Sequence, residues 1–158
     1  MILENEYLPD VRVSKEIQAL ISNGHTVVLL AISKKKGSIE VSPGLTLIRV
    51  PIRPFTIKMS ALALSFPFYF SFWRKNIQQT LKQYQVDAIH IHDLPLAKVV
   101  ISIGRKWKLP VVLDLHENRP EIMKHYAHVN SFWGKLLISI PQWEEYQQSM
   151  VKRVDYLV

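Results

Sequence analysis

Residues 88–116 read AIHIHDLPLAKVVISIGRKWKLPVVLDLH, and this stretch decides the fold. Its two ends, Ala88 to Ile91 and Val111 to Leu115, are short aliphatic runs with little polar alternation, the pattern of strands covered on both faces. Between them, Leu94 to Lys106 carries apolar residues at helical spacing. A strand, a helix and a second strand of this kind form a parallel crossover unit, which is right-handed. The same alternation continues outward. Thr26 to Ala31 and Leu45 to Val50 are two more buried runs, and Met1-Ile2-Leu3 opens a short first strand. Val13, Ile17, Leu20 and Ile21 recur at helical spacing and stop at Asn23-Gly24, where a glycine C-cap is expected. Later helices are expected over Ser60 to Gln85 and in one or two pieces within Glu121 to Arg153. The sum is an α/β fold: a Rossmann-like, doubly wound parallel sheet flanked by helices, its five buried strands in the order 3-2-1-4-5.

The composition sets bounds on this reading. The chain has 158 residues, 48% of them hydrophobic, enough for one core without disulfides or a structural metal. It contains no cysteine, which excludes a disulfide scaffold, a cysteine-based zinc site and a thiol nucleophile. Met59 to Trp73, the longest uncharged stretch, falls short of the roughly 20 apolar residues a spanning helix needs. No basic region followed by an apolar one opens the chain, so no secretory signal is expected and the cytoplasm is the expected compartment. Both ends look cut: the first strand is short, and Asp155 to Val158 reads as a strand only begun. Residues 1–158 are therefore read as a single domain truncated at both ends.

Twenty Lys and Arg against 13 Asp and Glu give a formal charge of +7. Nucleic acid, an anionic membrane and a phosphorylated substrate all fit such a balance. No helix-turn-helix, RNP-like or zinc motif accompanies the charge, so no nucleic-acid partner is expected. Lys34, Lys35 and Lys36 form the one tight basic cluster and read as a solvated loop. Phe55 to Lys75 (FTIKMSALALSFPFYFSFWRK) and Ser131 to Trp143 (SFWGKLLISIPQW) are aromatic-rich, apolar and flanked by cations. Such segments either pack on the sheet or lie in a membrane interface, which makes peripheral attachment at the cytoplasmic membrane face an expectation to test.

Ligands of doubly wound sheets bind at the carboxyl ends of the strands, beside the point where strand order reverses. The polar residues there are Glu4 and Asn5 after the first strand, His92 and Asp93 after the fourth, and His116 and Glu117 after the fifth. His90 and His92 share one strand face, with His90 read as a core histidine and Asp93 as a helix N-cap. Asp114 and His116 likewise share a face, so the carboxylate can fix the imidazole tautomer. The first strand-to-helix turn, ENEYLPDVRVSKE from Glu4 to Glu16, offers Asp10 as a cap and Arg12 and Lys15 in the first helical turn. These cations either hold an anion or line a solvated face. The glycines, Gly24, Gly37, Gly44, Gly104 and Gly134, are too scattered for a dinucleotide fingerprint or a P-loop. His92 and His116 with nearby carboxylates also satisfy the ligand inventory of a metal-dependent hydrolase, the rival on residues alone; the site is read without a metal. A stand-alone, non-catalytic α/β binding module is the third reading.

Three motifs in order carry a family resemblance: DVRVSKEIQALISNGHTV (Asp10 to Val27), VDAIHIHDLP (Val86 to Pro95) and LPVVLDLHENRPE (Leu109 to Glu121). With the closing PQWEEYQQSMVKRVDYLV (Pro141 to Val158), the chain resembles the N-terminal, acceptor-side domain of family 4 glycosyltransferases. That resemblance implies one half of a GT-B fold, with the C-terminal donor-binding domain and its Glu-x7-Glu motif absent. It implies a retaining enzyme of polysaccharide or cell-envelope biosynthesis that moves a sugar from a nucleotide-sugar donor to a glycan or lipid-linked acceptor. No further cofactor is implied, and this domain alone is expected to be inactive. His116 takes the place of the histidine that meets the donor sugar. Glu4, Asn5, Arg12, Lys15, His92, Asp93 and Glu117 are the expected substrate-binding residues. Many members have a glycine-rich turn where this chain has Glu4 to Arg12.

Overall fold

The computed structural model describes residues 1–7, 10–58, 60, 62–65, 68–126, 129, 134 and 137–158. Its elements run β1 (Ile2–Glu6), α1 (Val11–Ser22), β2 (Val27–Ser33), β3 (Ser38–Ser42), β4 (Leu45–Pro51), α2 (Pro54–Lys58), α3 (Phe68–Gln83), β5 (Ile89–His92), a 3-10 turn (Leu94–Leu96), α4 (Ala97–Trp107), β6 (Val111–Asp114), α5 (Arg119–Met123), α6 (Ile140–Val151) and β7 (Tyr156–Leu157). The sheet has seven strands in the order β3-β4-β2-β1-β5-β6-β7. Its five central strands follow the expected 3-2-1-4-5 order.

Two strands join this frame. β7 extends β6 in parallel, where Asp155 to Val158 suggested a strand begun. β3 runs antiparallel to β4 and is exposed along its whole length. The SIEVS segment has too few apolar residues to announce itself, and Gly44, at φ +74°, turns the chain back into β4. The long helix expected over Ser60 to Gln85 is shorter: α2 ends at Lys58 and α3 starts at Phe68, directly after the proline at position 67.

Side chains alternate between the two faces of the sheet. Ile2, Leu30, Ile32, Ile91 and Leu113 pack with Tyr69, Trp73 and Ile77 of α3, with α4, and with Trp143 and Met150 of α6. Leu3, Leu29, Ala31 and Leu47 pack on the other face against Val13 and Ile17 of α1. Asp10 caps α1 by accepting from the backbone N–H groups of Arg12 and Val13 at 3.1 and 3.2 Å, as expected. Gly24, at φ +83°, ends the helix by donating to Ile21 O at 2.9 Å.

Two contacts fix α4 against the sheet and so place the ends of β5 and β6. Tyr146 Oη of α6 donates to Pro95 O at 3.0 Å and accepts from Lys98 N at 2.9 Å, satisfying an orphan donor in the first turn of α4. Gly104 lets the far end of α4 approach β6: a Cβ there would lie 2.5 Å from a Val111 methyl and 2.8 Å from Leu109 O. The backbone oxygen cannot rotate away. Gly104→Ala is therefore expected to cost about 1–3 kcal/mol by overpacking, read as a lowered urea midpoint with an unchanged slope.

Candidate functional site

Because strand side chains alternate, Ile89, Ile91, Val111 and Leu113 fill one face while His90, His92 and Asp114 are left to the face that α1 covers. Parallel register sets His92 directly beside Asp114. His116 lies two residues beyond Asp114 on the same side. Across from them, α1 contributes Glu16, which flanks its buried Val13 and Ile17. The result is a polar layer in an otherwise apolar domain.

Asp114 is its centre. Oδ2 lies 3.0 Å from His116 Nε2, 3.4 Å from His92 Nδ1 and 3.9 Å from His90 Nε2. His92 Nδ1 is also 3.3 Å from His116 Nε2; with ring centroids 5.6 Å apart and planes 17° from parallel, the two rings meet edge to edge, nitrogen toward nitrogen. His90 lies against the other side of His92, with ring centroids 4.6 Å apart. A carboxylate only accepts, and His116 Nε2 is placed to donate to it. Glu16 Oε2 stands 3.8 Å from His92 Nε2.

Burial dominates the electrostatics. It pulls His92 down to about 3 and His90 down to about 4, so both imidazoles are neutral near pH 7. It pushes the Glu16 carboxyl up to about 7, with the Asp114 charge adding to the rise. Four donors, from Glu16, His92, Asp114 and His116, lie within 4.8 Å of one another, an arrangement able to hold a cation.

A second group sits nearer the end of β1, where the register shifts between Leu3 and Glu6. Glu4 is 8% exposed, and its Oε1 accepts from Tyr69 Oη at 2.6 Å. Burial raises the Glu4 carboxyl above its ordinary value, against the pull of the Arg119 cation and the Tyr69 hydrogen bond. Asp93 is half-buried and likewise raised by burial, with the charges of His116, Arg119 and Arg12 opposing the shift. Glu4, Asp93, His116 and Arg119 thus share one electrostatic environment at the carboxyl ends of β1, β5 and β6.

The predicted residues separate by position. Asp93 precedes the 3-10 turn but makes no capping hydrogen bond with its side chain; its backbone adopts φ +72°, uncommon outside glycine. His92 is fully buried and contacts His116, Asp114 and Glu16, so it has no open surface for a sugar or a nucleotide. His90, read as a core histidine, is half-buried beside the same carboxylate. Arg12 and Glu117 are exposed and reach this region through their charges. Asn5 and Lys15 are exposed, and neither side chain makes a hydrogen bond or ion pair among the described residues. Lys34 to Lys36 are exposed, with Lys34 paired to Glu6 at 2.9 Å. Sequence reading missed Glu16, Tyr69 and Arg119. Glu16 had one legible signal, its place three residues after Val13, at the edge of the apolar stripe.

A doubly wound sheet with histidines and carboxylates gathered where its strand order reverses is a Rossmann-like α/β domain with a ligand site in the usual place. The chain belongs to the glycosyl transferase 4-like domain family, whose model matches residues 9–158. Solved structures share the fold. An α,α-trehalose-phosphate synthase (UDP-forming) from Burkholderia xenovorans, in complex with glucose-6-phosphate, superposes with a TM-score of 0.59 at 14% identity, covering 99% of this chain and 38% of that one. Apo UGT2 of Phytolacca americana gives 0.54 at 14% identity over 96% of this chain and 42% of its own. A trehalose-6-phosphate synthase, studied with bisubstrate glycomimetics of glycosyl transfer with retention, gives 0.54 at 14% identity over 99% and 38%. The chain thus spans about two fifths of the length of the structures it matches. No curated protein matches its sequence.

The Glu4–Tyr69 pair yields a pH-dependent test. With its folded value raised, Glu4 contributes stability that is complete below the unfolded value of 4.5 and is lost as pH rises through the folded value. The Tyr69 hydroxyl reduces that loss by stabilising the carboxylate. Tyr69→Phe should cost about 1–3 kcal/mol, more at the highest pH at which the fold persists than at about pH 5, in denaturant titrations at the two pH values. An equal loss at both would show that the hydrogen bond does not discriminate between the two forms of Glu4.

Proposed function

We propose that this domain is the acceptor-binding half of a retaining glycosyltransferase that moves a sugar from a nucleotide-sugar donor to a glycan or lipid-linked acceptor. One observation carries the reading: in a glycosyl transferase 4-like domain, Glu4, Asp93 and His116 stand at the carboxyl ends of β1, β5 and β6, where such sheets take their ligands, within electrostatic reach of Arg119. Family membership supports sugar transfer.

The chemistry asks for two things. The departing diphosphate needs stabilisation of its charge, and the acceptor hydroxyl must be held near the anomeric carbon away from water. Closing two domains over a cleft supplies both, which is why one half alone is expected to bind without turning over. His116 has 10% of its side chain exposed, with Nε2 turned inward to Asp114. Its remaining ring nitrogen, Nδ1, is the group assigned to the donor sugar. Asp93 and Arg119 offer an acceptor and a donor of hydrogen bonds to sugar hydroxyls, and Arg12 offers a positive charge to phosphate.

The acceptor-side assignment is tested with the purified chain. On a glycan array it should retain a set of oligosaccharides, and in calorimetry it should take up no nucleotide sugar; the opposite pattern would overturn the assignment. In a polypeptide that also carries a donor-binding domain, His116→Ala should lower kcat on the order of 10²-fold, with folding intact by circular dichroism. His90→Ala, inside the strand, should act mainly on stability. Equal kcat losses at equal stability would remove His116 from its role.

Peripheral membrane attachment belongs to the same proposal. No described helix is long and apolar enough to cross a membrane. Tyr69, Trp73 and Ile77 face the core, whereas Phe68 on the outer side of α3 is 75% exposed and is followed by exposed Arg74, Lys75 and Lys82. Phe55 is 73% exposed. Much of the second aromatic segment, including residues 131–133, 135 and 136, lies outside the described residues, and its Trp143 is buried. An exposed aromatic next to cations supports binding to anionic lipid, each basic residue adding about 1 kcal/mol near the surface. The chain should sediment with anionic vesicles at low salt, less at moderate salt, and not with neutral vesicles. Equal recovery in the supernatant under all conditions would exclude attachment.

A further inference from the structure

The polar layer under the rim has more in it than the sugar-transfer reading uses. His92 Nδ1, His116 Nε2 and Asp114 Oδ2 form a triangle with sides of 3.3, 3.0 and 3.4 Å. A tetrahedral ion about 2.0–2.1 Å from each ligand sets its ligand atoms roughly 3.3–3.4 Å apart, so the triangle already has the dimensions of one face of such a site. Hydrogen bonding accounts for part of this geometry and leaves a remainder. His92 Nε2, on a fully buried ring, and Glu16 Oε2 are both buried without a hydrogen-bond partner. They face each other at 3.8 Å, too far for a hydrogen bond. Glu16 also brings a second carboxyl group up to Asp114 in a desolvated layer, an arrangement a cation would stabilise.

We propose that His92, Asp114 and His116 are the three protein ligands of a divalent transition-metal site of the zinc class, with Glu16 as the outer carboxylate that orients His92. Binding through Nδ1 leaves His92 Nε2–H facing Glu16 at 3.8 Å, so that a small inward shift of the Glu16 side chain on metal binding completes the carboxylate-histidine-metal arrangement. Two imidazoles and one carboxylate suit zinc or cobalt; calcium and magnesium need six or more oxygen ligands. Three ligands leave the fourth position open to water or to a ligand oxygen. His116 Nδ1 stays outside the coordination sphere, so the site is compatible with the sugar-binding role assigned to that atom and does not depend on it.

The test uses the purified chain, stripped with chelator and titrated with Co²⁺ alone. One equivalent should bind with the intense visible bands of a tetrahedral site, and Zn²⁺ should displace it and bleach them. His116→Ala and Asp114→Asn should abolish the bands, and Glu16→Gln should weaken binding about 10- to 100-fold. His125→Ala, outside the layer, should leave uptake unchanged. His116 lies nearest the surface of the ligands, so its truncation keeps the test available if a His92 variant fails to fold; circular dichroism checks each protein. Absence of stoichiometric uptake, a weak octahedral spectrum, uptake that survives both ligand variants, or uptake lost in His125→Ala would each overturn the site. None of these readouts involves sugar transfer, so failure here leaves the glycosyltransferase reading standing, and the reverse also holds.

Discussion

The arrangement of the candidate site rests on the carboxylate of Asp114, 4% exposed and surrounded by the rings of His90, His92 and His116 and by the carboxyl group of Glu16. A buried charge of this kind costs several kcal/mol unless partners surround it. Here the imidazole partners come from β5 and from the chain just beyond β6, so the two strands have to lie in register for the carboxylate to be satisfied, while α1 closes the layer with Glu16. The same requirement that stabilises Asp114 therefore fixes the position of His116, whose outer edge reaches the rim.

Around that centre the fold works by close approach. Gly104 brings α4 down onto β6, and Tyr146 ties α6 to the start of α4 through two hydrogen bonds to backbone. On the opposite face, the apolar stripe of α1 packs on β2 and β1 and carries Glu16 along its flank. The irregular register at the end of β1 accompanies the inward turn of Glu4 toward Tyr69. The rim and the layer beneath it are one construction: residues at the tips meet solvent, and the residues one or two positions earlier hold them.

Exposure divides the cluster. His116, Asp93, Arg119 and Arg12 are exposed or half-exposed, whereas His92 and Tyr69 are buried behind them and Glu16 lies between. A histidine at a strand tip is therefore not by itself at the surface, and the groups that do meet solvent are positioned by the buried ones they pack against.

The fold was legible in the chain itself because local physics carries it. Apolar runs covered on both faces, helical spacing between them, a capping aspartate at Asp10 and a glycine stop at Gly24 each act over a few residues, and together they give the alternation of strands and helices; the order of the five central strands is the usual one for a doubly wound sheet built from such an alternation. The exposed edge strand β3 was not legible, since SIEVS gains its conformation from pairing with β4 and not from burial. Period-two alternation likewise showed that His90 and His92 share a face, as do Asp114 and His116. That these two pairs meet was decided by the parallel register of β5 with β6, a contact between residues more than twenty positions apart. Glu16, Tyr69 and Arg119 joined the site only through packing of α1, α3 and α5 around the strand ends. No local propensity encodes such meetings, because the free energy that selects them comes from burying surfaces distant in sequence and from satisfying the charges they enclose.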